Sequence, residues 1–229
     1  MHTRFVLLCG RSLFPLVTCG MIFLCLTALG CQSVYYDAME KMGYHKRDLM
    51  VSDVEKARDA QQEAKEQFKS ALERFTTVLN VKGGELQDKY DTLNTEYEKS
   101  EAKANAVRDR IASVEDVSQA LFEEWETELK EYSSTTLRRS SQKKLTQTRN
   151  QYAQLIKAMK RAETKMDPVL AKFKDQVLFL KHNLNAQAIT SLKSELVSVE
   201  GNIASLIKEM ETSIKEADSF IASMAKEQA

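Results

Sequence analysis

Residues 86–132 read LQDKYDTLNTEYEKSEAKANAVRDRIASVEDVSQALFEEWETELKEY. One stripe of mostly apolar residues passes through this stretch from Leu86 to Tyr132 in alternating steps of three and four. A seven-residue repeat that continues for 47 residues is typical of a coiled-coil-like helix, roughly 70 Å long at 1.5 Å per residue. Neither Gly nor Pro occurs from Glu85 through Asp167. The stretch therefore predicts one long helix, over residues 85–132.

The same spacing recurs on both sides of this stretch. The stripe runs from Met50 to Val78 before it, and it includes Ile214 and Ile221 near the end of the chain. Two of the predicted helices begin at start signals, which are the capping box of Ser52 and Glu55 and the pair Asp167–Pro168. Others follow predicted turns, such as Gly83–Gly84 and Ser133–Thr136. We predict five helices, over residues 52–81, 85–132, 137–166, 168–183 and 187–226.

The connection between the last two helices is open. One continuous helix from Pro168 to Met224 would be roughly 85 Å long, and its apolar stripe would extend past its partners into water. A turn near Asn183–Asn185, which sends the last helix back along the first two, is favoured for that reason. The predicted fold is all-α, an elongated antiparallel helical bundle or coiled coil formed by residues 52–229.

Composition narrows the class of protein. Charged residues make up 29% of the 229 residues, with only 7 Gly and 2 Pro, which favours long amphipathic helices. Beyond residue 30 the chain carries 31 basic and 33 acidic side chains, a balance that argues against nucleic-acid binding. No cysteine follows Cys31, so this part can hold neither an internal disulfide nor a thiolate zinc site.

The N-terminus has the layout of an export signal. Arg4 and Arg11 are followed by an apolar run from Leu13 to Leu29. The run ends in TALGC, residues 27–31, which resembles a bacterial lipobox. This resemblance implies that residues 1–30 are a cleaved signal peptide, that Cys31 is acylated, and that residues 31–51 form a lipid-anchored tether with a short helix.

The main alternative is an uncleaved signal anchor, in which Cys31 keeps its free thiol. A permanent span needs roughly 17 to 25 apolar residues, so the run is borderline for that role. Gram-negative lipoproteins with Asp after the acylated cysteine stay at the inner membrane. Gln32 therefore implies the outer membrane, with the protein facing the periplasm.

Two further segments carry a wider resemblance. They are SVYYDAMEKMGYHKRDLM, residues 33–50, and MDPVLAKFKDQVLFLKHNLNAQAI, residues 166–189. Together with the lipobox they resemble the small coiled-coil lipoproteins of the bacterial domain-of-unknown-function family 2959, over nearly the whole mature chain. Because that family has no established activity, the resemblance implies no catalytic residue, cofactor or metal site.

Charge is unevenly distributed along the predicted helices. Residues 85–131 carry 14 acidic and 6 basic side chains, whereas residues 132–162 carry eight basic and no acidic ones. One interpretation is ion pairing between two antiparallel helices, which sets their register. The other is binding of an anionic membrane surface or phosphate-bearing polymer by four residues at a projecting hairpin tip: Arg138, Arg139, Lys143 and Lys144.

Three classes of function remain open. The sequence has no phosphate-binding glycine loop, nucleophile elbow, zinc-protease motif or Cys–His pair, so we expect a non-enzymatic scaffold or spacer without a small-molecule substrate. Its expected partners are the membrane, through the lipid anchor, and either another protein or a second copy of the chain. A binding module that acts through the basic tip is the alternative. A carrier of a small apolar ligand is disfavoured, because the Ala-rich stripes leave little room for a cavity.

Overall fold

The computed structural model describes residues 36, 39, 43, 45–80 and 85–226. The chain divides into two compact units, Met1–His45 and Lys46–Ala229. The predicted signal peptide and Cys31 lie outside the described residues. Most of the second unit consists of four α-helices: α1 (Lys46–Asn80), α2 (Leu86–Glu128), α3 (Thr135–His182) and α4 (Ala186–Lys226). The described residues contain no β-strand, and the predicted all-α class is confirmed.

The second unit is an antiparallel four-helix bundle. Helix α1 packs against α2 and α4, and α3 packs against the same two helices. Helices of 35 to 48 residues are about 52 to 72 Å long at 1.5 Å per residue. The diagonal pair, α1 and α3, are parallel and meet where Phe75 stacks on Phe173, with ring centroids 6.0 Å apart.

A continuous seam of buried side chains, which we call the core seam, joins the four helices. In α1 it follows the predicted steps of three and four: Met50, Val54, Ala57, Gln61, Ala64, Phe68, Ala71, Phe75 and Leu79. Only the last step differs, since Leu79 is buried instead of Val78. Toward the α3–α4 turn the seam ends in a cluster contributed by all four helices: Phe75, Leu79, Leu93, Val177, Leu180, Ala188 and Leu192.

Two predicted helix starts are wrong. Helix α1 begins at Lys46, so Ser52 and Glu55 lie inside it. Burial of Met50, which is 0% exposed, extends the helix upstream of the local capping signal. The predicted boundary at Asp167–Pro168 is also wrong, because α3 continues through Pro168 to His182. Met166 and Val169, on either side of this pair, are both buried, and this packing outweighs the helix-breaking effect of proline.

The turns that join α2 to α3 and α3 to α4 fall close to the predicted positions. Helix α2 ends four residues before the predicted residue 132, and Ser134 caps α3 by accepting a hydrogen bond from the amide of Leu137 at 3.3 Å. The favoured turn between α3 and α4 is confirmed. Asn183 follows the last residue of α3, and the side chain of Asn185 accepts from the amide of Ala188 at 2.9 Å. None of the described helices is sufficiently long and apolar to span a bilayer.

The continuity of α3 leads to a prediction for Pro168. A proline inside a helix removes one backbone hydrogen bond and places its ring against the carbonyl four residues earlier. We therefore expect Pro168→Ala to raise the free energy of unfolding by about 2 kcal/mol, after allowance for the greater freedom of the unfolded chain. Urea unfolding followed by circular dichroism measures the change.

The matched control is Lys165→Ala, one turn earlier on the exposed surface of α3. It changes helix propensity by only a few tenths of a kcal/mol. Equal stability of the two variants would contradict the continuous α3, since a helix that ended before Pro168 would gain nothing from the substitution.

Candidate anionic-surface site at the α2–α3 turn

The α2–α3 hairpin projects beyond the other two helices. The stacked pair Phe75 and Phe173 places Lys46 level with Lys144, so α3 starts about nine residues, or roughly 14 Å, before the level at which α1 begins. The side chain of Arg47 reaches the carbonyl of Met224 at 3.5 Å, so this part of α4 is level with the start of α1. We call residues 129–144 the hairpin tip.

This geometry modifies the predicted tip. The sequence predicts that the second helix is about 17 residues longer than the first, with the excess forming the projection. Helices α1 and α2 have 35 and 43 residues, and Lys46 at the start of α1 pairs with Glu124 at 2.8 Å. The projection therefore comes mainly from the first turns of α3. It lies at the end of the bundle where the chain enters α1.

Specific contacts hold the base of the hairpin tip. The indole N–H of Trp125 donates to the hydroxyl of Ser141 at 2.8 Å. Phe122 packs edge-to-face on Tyr152, with ring centroids 5.5 Å apart. The guanidinium of Arg149 lies 5.1 Å from the centre of the Phe122 ring. These contacts join α2 to α3 across the hairpin and fix the orientation of the first turns of α3.

Ion pairs account for three of the eight basic residues in the acid-free stretch. Arg149 pairs with Glu126 and Lys160 with Glu115, both between α3 and α2, and Arg161 pairs with Glu209 on α4. The hydrogen bond from Arg149 holds the pKa of Glu126 below its usual value. The hydrogen bond to Glu115 raises the pKa of Lys160. The predicted pairing with the acidic helix α2 is thus correct for Arg149 and Lys160, whereas Arg161 pairs with α4 instead.

The four predicted tip residues do not follow that pattern. Arg138, Arg139, Lys143 and Lys144 are all exposed, and within the described part of the chain they form no ion pair. Lys130 adds a fifth cation, and Glu131 is the one acid of the tip, so residues 129–144 carry a net charge of plus four. The structure places the four predicted residues together on one projecting segment.

Sequence reasoning missed the apolar part of the tip. Leu137 is 59% exposed, and Tyr132, wrongly predicted to continue the stripe of α2, is 39% exposed beyond the end of that helix. Leu137 could have been noticed, because it lies eight residues before Leu145, where the stripe of its helix begins. A shallow groove of about 500 Å³ also opens at the tip, lined by Glu126, Leu129, Lys130, Arg138, Arg139 and Gln142.

Other site types lack support in the same residues. Among the residues that the structure describes, no group of three or more His, Cys, Asp or Glu side chains could hold a metal ion. Gln61 is 0% exposed, and neither atom of its side-chain amide has a hydrogen-bond partner in the described part of the chain. It belongs to the core seam and lines no opening to solvent.

Comparisons with known proteins give one match. Residues 35–224 match the family described as "Protein of unknown function (DUF2959)". Neither the curated proteins nor the solved structures yield a match.

Arg149 provides a test of the contacts at the base of the tip. We expect Arg149→Met to lower the free energy of unfolding by about 0.5–1 kcal/mol through loss of the cation–π contact with Phe122, with a further loss from the ion pair with Glu126. Urea unfolding of the single and double variants with Glu126→Gln separates the two contributions.

The matched control is Lys157→Met, an exposed position on the same helix without an ion pair in the described residues. It removes one positive charge and leaves the hairpin contacts intact. An equal effect of the two substitutions would mean that Arg149 contributes only its charge.

Proposed function

Since the chain belongs to the family DUF2959, whose description states no function, we propose a function from the bundle and the leader. The protein is a non-enzymatic lipoprotein of the outer membrane, faces the periplasm, and acts as a helical scaffold or spacer. The observation that carries this proposal is the core seam, which extends along helices of 35 to 48 residues.

The contacts between helices support a spacer. The interface of α1 with α2 has the pair Lys103–Glu63 at 2.7 Å, and that of α1 with α4 has Arg58–Asp218 at 3.2 Å. The other two interfaces have the pairs of Lys160 and Arg161 described above. Each exposed pair contributes little stability, but the pairs distinguish one helix register from another. A long body with one register keeps a fixed distance between whatever binds at its two ends.

The lipid anchor is proposed from Cys31 and the lipobox. A thioether-linked diacylglycerol and an N-acyl chain each contribute about 0.8 kcal/mol per buried methylene, so several long chains together hold a protein at a bilayer stably. The remainder of the chain after Cys31 has no second cysteine. One modified residue would therefore connect the bundle to the bilayer through the segment of chain that precedes α1.

Mass analysis of the protein purified from a Gram-negative host tests the anchor. We expect a product that begins at Cys31 and carries the mass of a diacylglycerol and an acyl chain. Cys31→Ser should abolish both processing and modification, because only a thiol accepts the diacylglycerol.

Cys25→Ser is the matched control, since it removes a leader thiol six residues earlier and should be processed normally. An unmodified Cys31 thiol behind an intact leader would refute the proposed anchor.

A second candidate function is a binding module that acts through the hairpin tip on a phosphate-bearing surface. This candidate is favoured by the four exposed cations of the tip, which form none of the ion pairs between the described helices of the bundle. A basic residue close to an anionic surface contributes roughly 1 kcal/mol. The four residues together are enough for binding that depends on ionic strength.

Inorganic polyphosphate is a suitable probe of this candidate. We expect the Gln variant of all four residues, Arg138, Arg139, Lys143 and Lys144, to keep its helicity and to bind polyphosphate at least about tenfold more weakly at low salt. Equilibrium titration of the mature protein in neutral detergent measures this affinity.

The control replaces four exposed lysines away from the tip with Gln: Lys165, Lys174, Lys181 and Lys193. It makes the same change in net charge. If both variants lose the same affinity, the protein responds to overall charge and the tip is not a site.

A further inference from the structure

We propose that the hairpin tip binds an anionic lipid bilayer end-on and that Tyr132 and Leu137 enter the interface between head groups and acyl chains. This inference rests on the second candidate function and names its ligand class. The observation that supports this inference is that exposed apolar and cationic side chains occur together on one projecting turn.

The positions of the charges suit a flat surface. Arg139 and Lys143 are four residues apart and share a face of α3, whereas Arg138 and Lys144 lie on other faces. The cations therefore surround the start of α3 instead of forming a single stripe along it. A helix that lies along a polymer or in a groove needs a stripe, but one that meets a charged plane with its end can use charges on all sides.

The apolar residues distinguish a bilayer from a phosphate polymer. Tyr132 and Leu137 flank the turn, both are exposed, and Leu137 directly precedes Arg138 and Arg139 in the chain. A polymer would neutralise the cations and leave Leu137 in water. A bilayer offers phosphates to the cations and, 5–10 Å deeper, an apolar boundary to the leucine. Tyrosine is enriched at that depth, where its ring is apolar and its hydroxyl stays hydrated.

The tip is formed before it binds. Ser134 caps α3, and the hydrogen bond between Trp125 and Ser141 joins the two helices below the turn. Because these contacts exist in the isolated chain, docking needs little ordering of backbone, which favours affinity. The groove between Lys130, Leu129 and Arg138 is a place for one phosphate head group beside the inserted side chains.

The single tryptophan of the chain allows a direct experiment. Trp125 is partly buried and lies seven residues before Tyr132 at the base of the tip. The lipid-anchored mature protein is incorporated into vesicles of phosphatidylglycerol and phosphatidylethanolamine in which part of the phosphatidylethanolamine carries a nitroxide on its head group. Because a nitroxide quenches tryptophan only at short range, and because a docked tip brings its base to the level of the head groups, quenching of Trp125 reports docking of the tip on the bilayer.

We expect Trp125 to be quenched in the anionic vesicles. We expect this quenching to be much weaker in phosphatidylcholine vesicles or at high salt. The double substitution Tyr132→Ser and Leu137→Ser keeps the charge and should lower the docked fraction roughly tenfold, since full transfer of one leucine from water is worth at least that factor. The four-Gln variant should lose docking too, at about fivefold for each charge.

The control variant is Leu184→Ser with Val197→Ser, which removes two apolar side chains that are 42% and 75% exposed outside the tip. It should dock like the unaltered protein. Circular dichroism confirms that each variant is helical before the quenching is compared.

Three results would overturn the inference. Equal quenching in anionic and zwitterionic vesicles would show that the charges are not used. Unchanged quenching in the Ser double variant would show that no side chain inserts. The third result concerns polyphosphate. If polyphosphate abolishes the quenching, and if the Ser double variant binds both polyphosphate and the vesicles as well as the unaltered protein does, the ligand of the tip is a polymer. Acylation of Cys31, measured by mass in the same samples, reports the anchor separately.

Discussion

The core seam is the constraint on which the rest of the bundle depends. Neighbouring positions on a helix differ by about 100°, so a shift of one residue in any helix would turn its stripe away from the other three. The stacked rings of Phe75 and Phe173 connect the diagonal helices at one level. Gln61 interrupts the seam with a fully buried amide. In coiled coils a polar residue at such a position fixes the register at a cost in stability, and Gln61 occupies a position of this kind.

Because the seam follows helical periodicity, most of it could be predicted from the sequence. The stripe of α1 agrees with the buried residues up to Phe75. In α4 the prediction chose Ile214 and Ile221, but Ser213 and Phe220 are buried in their place. Steps of three and four both fit a helix of 3.6 residues per turn, and hydrophobicity favoured the isoleucine in each case. The structure shows that position around the helix decides burial, even when the inward residue is a serine.

The misplaced helix boundaries have a common cause. A capping residue or a proline changes the stability of a helix end by about 1 to 3 kcal/mol, without regard to packing against other helices. Burial of each large apolar side chain contributes a similar amount, and several such side chains lie on both sides of Pro168. Where the core seam continues, packing therefore outweighs the capping and proline signals, and the helix is not interrupted. Ion-pair partners, such as Glu209 for Arg161, could not be predicted for a related reason, since they depend on the offset between helices that only the packed seam defines.

The hairpin tip differs from the bundle because, of its described residues 129–144, only Leu129 is buried. Leu145 is the first buried residue of α3, so the ten described residues before it add no side chain to the buried core, although Ser141 among them bonds to Trp125. A turn that served only to reverse the chain would need neither an exposed leucine nor four cations without ion pairs. Exposed apolar groups carry a cost in water, and like charges repel one another. Exposed side chains of this kind add nothing to the fold, and the bilayer surface proposed above would accommodate both the apolar and the cationic ones.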